Sequence, residues 1–122
     1  MRIFSFEKLI AWQKGRELAL LIYKTTKKVS QRRDIWFIKS NETLFHFHRF
    51  KFSGRIWMKS FKDKARFSEI AYSSSLELLN QVILSNDFEY INENDYLSIR
   101  EKIAEVNMLI DGLYKSQIKK IE

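Results

Sequence analysis

Apolar residues recur at three- and four-residue steps through most of this chain. In "FEKLIAWQKGRELALLIYKTTKKV", Phe6, Leu9, Ile10, Leu18, Leu21, Ile22 and Val29 fall on one line, with Gln13 and Thr25 on it. That period predicts a helix over about 6–29. Ser5 stands where an N-cap would, and Lys24, Lys27 and Lys28 occupy the last turns, where cations suit the helix dipole. In "FKDKARFSEIAYSSSLELLNQVILSND" the line is Phe61, Ala65, Ile70, Ala71, Leu78, Leu79, Val82 and Ile83, which predicts a helix over about 62–86. The small run Ser73–Ser75 lets another helix approach closely. In "ENDYLSIREKIAEVNMLIDGLYKSQIKKI" the line Ile99, Ile103, Val106, Ile110 and Leu113 predicts a helix over about 94–118, capped by Asn94 or Asp95, with Lys119 and Lys120 near its end. Leu18, Ile22, Ile70, Leu78, Val82, Ile103, Val106 and Ile110 are the expected core.

Between the first two of these helices the pattern changes. "RDIWFIKSNETLFHFHRFKFSGRIW", Arg33 to Trp57, alternates Phe45-His46-Phe47-His48 as a strand does. No other run is long enough to pair with it, and a lone strand is marginal in water. Residues 35–57 are expected to be the least regular part of the fold.

Composition narrows the function classes. A chain of 122 residues suits one domain, with no repeat and no linker. It has no run of eighteen apolar residues and no signal-peptide pattern. It has no cysteine, which removes disulfides and thiolate metal sites. These features favour a cytoplasmic protein. Proline is absent and only three glycines occur, which favours long helices with short connections. The net charge of +7 is uneven. Residues 24–66 carry thirteen bases against three acids, while residues 67–122 carry five bases against ten acids. Such a block marks either a polyanion-binding face or helices that pair by charge.

Catalytic constellations are thin. Glu69 and Glu77 have no base, nucleophile or glycine loop near them in sequence, so no enzyme activity and no cofactor are expected. His46 and His48 share a strand face as a metal pair can, but only Asp34 and Glu42 lie near, so no metal site is expected. Trp12 and Tyr23 lie at helical spacing, which suits a core or a subunit interface better than a stacking platform. Phe45, Phe47, Phe50 and Phe52 among Arg49, Lys51 and Arg55 look like a single-strand-binding surface, but a misread helix whose Phe codons come from U-rich triplets is the better reading.

The outer segments resemble a known family, the four-helix-bundle proteins encoded in intervening sequences of bacterial 23S rRNA genes. Its opening pattern is F-x-x-L-x-(A/V)-W-x-x-(A/S)-x-x-L-(A/V)-x-x-(I/V)-Y-x-x-T. Here Phe6, Leu9, Ala11, Trp12, Leu18, Ala19, Ile22, Tyr23 and Thr26 stand in that order. Its third helix reads R-F-L-x-I-A-x-G-S-x-x-E-L, matched by Arg66, Phe67, Ile70, Ala71, Ser74, Glu77 and Leu78, with Ser73 in place of the glycine. The resemblance covers about three quarters of the chain.

The family's second helix is missing from the frame as written. Read one base later, with codons chosen to fit and one flexible position allowed, Ile35 to Trp57 yields YGLSNQMRRSSISxxSNLAEGYG, which is close to the family's second-helix pattern. Trp57, Met58 and Lys59 force a stop in that shifted frame, so the frame must return near Trp57. Residues from about 31 to 60 are thus expected to be a frameshifted translation. The shifted reading would lower the net charge from +7 to about +5.

The resemblance implies an all-α, antiparallel up-down four-helix bundle with an abnormal second helix. It implies a homo-oligomer, a ring-shaped pentamer in relatives, with a basic surface that contacts rRNA or other nucleic acid. The expected contact residues are Lys24, Lys27, Lys28, Arg32 and Arg33 at the end of the first helix. Two alternatives remain open: an oligomeric adaptor that binds protein only, and a non-functional product of a frameshifted gene.

Overall fold

The computed structural model describes residues 1–28 and 60–121. Within them the protein is all-helical, with no strand. A 3-10 turn, Ser5–Lys8, leads into α1, Ile10–Thr26. The other helices are α2, Phe61–Asp87, and α3, Glu93–Ile121. The irregular segment expected at 31–60 lies outside the described residues, as do Val29, Arg32, Arg33, His46 and His48, apart from Ser60 itself.

The first helix begins four residues later than its pattern predicts. Leu9 is extended, with ψ 124°, and it holds the N-cap position with no side-chain cap. Ser5 is therefore not the cap of α1. The incoming chain is tied back by Glu7, whose carboxylate accepts the Phe4 N–H at 3.1 Å, and by Gln13, whose amide donates to the Glu7 carbonyl at 2.8 Å. The other two starts are conventional. Ser60 Oγ accepts the Asp63 N–H at 3.1 Å. Asn92, rather than Asn94 or Asp95, caps α3 by accepting the Asp95 N–H at 2.8 Å.

A short connection folds α3 back on α2. Glu89 has φ 61°, the Tyr90 N–H donates to the Ser85 carbonyl at 2.9 Å, and the Glu89 N–H donates to Asn86 at 3.0 Å. This is a Schellman closure with glutamate at the left-handed position usually held by glycine. The two helices then run antiparallel. Ser68 pairs with Gln117 near one end and Ser75 with Asn107 further along. α1 is antiparallel to α3 as well, because Lys28 meets Asp95 while Lys14 meets Glu105. α1 and α2 consequently point the same way. Both pack on α3 and share no comparable interface with each other.

The core lies between these faces. Leu18 and Ile22 of α1, Leu78 and Val82 of α2, and Ile99, Ile103, Val106 and Ile110 of α3 are all at most 3% exposed. Each buried aliphatic side chain of this kind contributes about 1.5–3 kcal/mol. Seven of the eight expected core residues are in place. Ile70 is not, being 38% exposed. The buried line of α2 runs instead through Ala65, Ser68, Ala71, Ser75, Leu78, Val82 and Ser85. Small residues there bring α2 close to α3, and Ile70 is turned about 100° away from Ala71. Of the serine run, only Ser75 is fully buried. None of the described helices is long and apolar enough to cross a membrane.

Candidate nucleic-acid interface

The antiparallel pairing decides which charges meet. One pole of the bundle gathers the end of α1, the end of α2 and the start of α3. Lys24 lies there in the last turn of α1, whereas Lys27 and Lys28, expected within the helix, fall beyond its end at Thr26; all three are exposed. Lys27 rests over the Tyr23 ring at 4.5 Å, and Lys28 Nζ is 3.5 Å from Asp95. The same pole carries Asp87, Glu89, Glu93 and Asp95. Lys28 meets Asp95 directly, and the four acids that share this end of the helices offset the positive field expected from the linear charge block. Arg32 and Arg33 lie outside the described residues.

The opposite pole is different. It joins the start of α2 to the end of α3, bringing Lys62, Lys64 and Arg66 beside Lys115, Lys119 and Lys120. Asp63 and Glu69 are the acids within 60–69, and none occurs within 115–121. Lys115 is held by Asp111 at 2.8 Å, and that hydrogen bond raises the lysine's pKa. Lys64 and Lys120 both lie over the Phe61 ring, at 4.7 and 4.8 Å from its centroid. Sequence reading missed this pole because half of it comes from the net-acidic part of the chain.

Along the α1–α3 seam the charges close on themselves. Lys14, Glu17, Lys102 and Glu105 form a ring of alternating sign with contacts of 2.9–3.4 Å. Glu17 is held below its ordinary pKa by hydrogen bonds from Lys102 and then Lys14. Glu105 is lowered chiefly by Lys102, and Lys102 is raised chiefly by Glu17. These groups serve α1–α3 docking and are committed to one another.

Glu69 and Glu77 line a shallow hollow on the outer face of α2 with Arg66, Ile70, Ser73 and Ser74. Both carboxylates are exposed. Among the described residues no cluster of three His, Cys, Asp or Glu side chains has the arrangement to hold a metal ion. Trp12 is half-buried and packs on the core, while Tyr23 is exposed. No protein-family model matches the chain, and no curated protein matches it.

Proposed function

We propose that this protein is a non-enzymatic, nucleic-acid-associated helical scaffold, as its resemblance to the proteins of 23S rRNA intervening sequences implies. The observation that carries the reading is the segregation of charge: six cations come from the start of α2 and the end of α3, where Asp63, Glu69 and the Lys115 partner Asp111 are the acids among the described residues. Phosphate neutralisation is the binding mode such a pole serves, and it weakens steeply with salt. The test is titration of an rRNA fragment against the protein at two salt concentrations. Binding that falls as salt rises supports the scaffold. No binding at low salt favours the protein-only adaptor, an oligomer for which exposed Tyr72, Leu76 and Met108 offer apolar surface.

We also read the fold as a four-position antiparallel bundle. α1 and α2 point the same way and both pack on α3, which is how the first and third helices of an up-down bundle sit against the fourth. The remaining position would lie opposite α3, between the flank of α1 carrying Trp12, Ala19 and Tyr23 and the flank of α2 carrying Phe67, Ser74 and Gln81. Gln81 Oε1 is buried there without a hydrogen-bond partner. In the frameshift reading, the restored second helix belongs in that position. Side-by-side expression of the given and restored chains tests this by thermal melting and circular dichroism. A given chain that melts as cooperatively and as high as the restored one would falsify the frameshift reading, as would a locus without compensating indels.

A further inference from the structure

Phe61 is the first residue of α2, directly after the cap Ser60. It is 36% exposed and lies outside the core cluster. An apolar ring at a helix start, with two ammonium groups drawn over it, needs a reason. Lys64 sits one turn further along α2, whereas Lys120 comes from the last turn of α3. The trio exists only because the two helices are antiparallel. Lys62 and Lys119 flank it and make no ion pair with a carboxylate among the described residues.

We infer that this pole is a single-strand site, in which Phe61 stacks on one unpaired base and Lys62, Lys64, Lys119 and Lys120 take the neighbouring phosphates. The inference rests on the scaffold reading and narrows it to unpaired nucleic acid. A base entering over the ring replaces the lysine on that face, and the displaced ammonium moves to the adjacent phosphate. A base within a duplex has both faces stacked and offers none to the ring. Aromatic stacking between cations is the arrangement that serves single strands and tolerates any base. An acidic peptide would use the lysines and leave the ring idle.

The experiment is fluorescence anisotropy with a short uridine-rich RNA, the same length of duplex RNA, and a polyglutamate peptide. The wild-type protein is expected to bind the single strand most tightly. Phe61→Leu keeps the apolar bulk and removes the ring face. It should weaken single-strand binding about tenfold, or ~1.4 kcal/mol, and leave duplex binding unchanged. Phe61→Tyr should bind as wild type does, and a melting curve for each variant checks that it folds. Lys119→Glu with Lys120→Glu should weaken every polyanion. Unchanged single-strand affinity in Phe61→Leu overturns the stacking role and leaves a general polyanion scaffold standing. Binding of polyglutamate as tightly as RNA overturns it as well. A wild-type protein that binds neither RNA at low salt overturns the scaffold reading too.

Discussion

Ser68 donates a 2.7 Å hydrogen bond to the side-chain carbonyl of Gln117, across 49 residues of sequence, and both residues are 3% exposed. A buried amide costs free energy unless it is paired. This pair therefore fixes the register of α2 against α3 as well as joining them. Ser68→Ala is expected to destabilise the fold by about 1–3 kcal/mol, read from urea unfolding, because Gln117 loses that donor. Ser68→Ala with Gln117→Leu should cost less than the single change, since both polar groups leave together.

Leu78→Ala should cost about 2–5 kcal/mol, the usual range for a core truncation. Ile70→Ala, eight residues earlier on the same helix, should stay within about 0.5 kcal/mol, as exposed substitutions do. Equal losses in the two variants would mean that Ile70 is buried in solution and that its side chain faces a neighbour.

Much of this was legible in the sequence, and the exceptions have physical causes. Ile99, Ile103, Val106 and Ile110 are readable because large aliphatic residues mark the buried line of α3 without competition. On α2 the line is written mainly in alanine and serine, so Ile70 draws the eye to the wrong face. The candidate interface was harder still. Lys24, Lys27 and Lys28 look like a strong basic patch until the fold sets Asp87, Glu89, Glu93 and Asp95 beside them. Lys119 and Lys120 look like a minor helix end until the fold sets them beside Lys62 and Lys64. A linear charge count has no access to either adjacency.

The two poles should respond differently to charge reversal. Changing Lys24, Lys27 and Lys28 to Glu is expected to weaken RNA binding modestly and alike for all sequences, since phosphate contacts carry no base identity. Changing Lys62, Lys119 and Lys120 to Glu should weaken it far more. Equal losses measured by anisotropy would return the end of α1 to the centre of the interface.

Glu89 occupies a left-handed conformation that costs a residue with a Cβ about 1 kcal/mol or more. Glu89→Gly is expected to raise stability by roughly 0.5–1 kcal/mol, seen as a higher urea midpoint with unchanged slope. A lower midpoint would show that the glutamate side chain makes a contact worth more than the strain.

The charged ring on the α1–α3 seam predicts a pH window. Glu17 and Glu105 are lowered in the folded state, so their contribution is present above the ordinary carboxylate pKa and is lost as pH falls through the folded values. Lys102 is raised, so its contribution is full below the ordinary lysine pKa and is lost as pH rises through the folded value. Lys102→Met should therefore melt below the wild type at neutral pH by a small margin, because exposed pairs contribute little. The two melting curves should converge at both pH extremes and in high salt.

The position of α3 has a consequence for synthesis. Among the described residues, α1 and α2 share one packing partner, residues 93–121, which is made last. At about 5–20 residues per second, several seconds separate the appearance of α1 from that of its partner. Until α3 appears, Leu18 and Ile22, and later Leu78 and Val82, lack the α3 surface that buries them, and the nascent chain is a client for any chaperone that holds apolar helices apart. Among the described helices, the last to be translated is the one on which the other two pack.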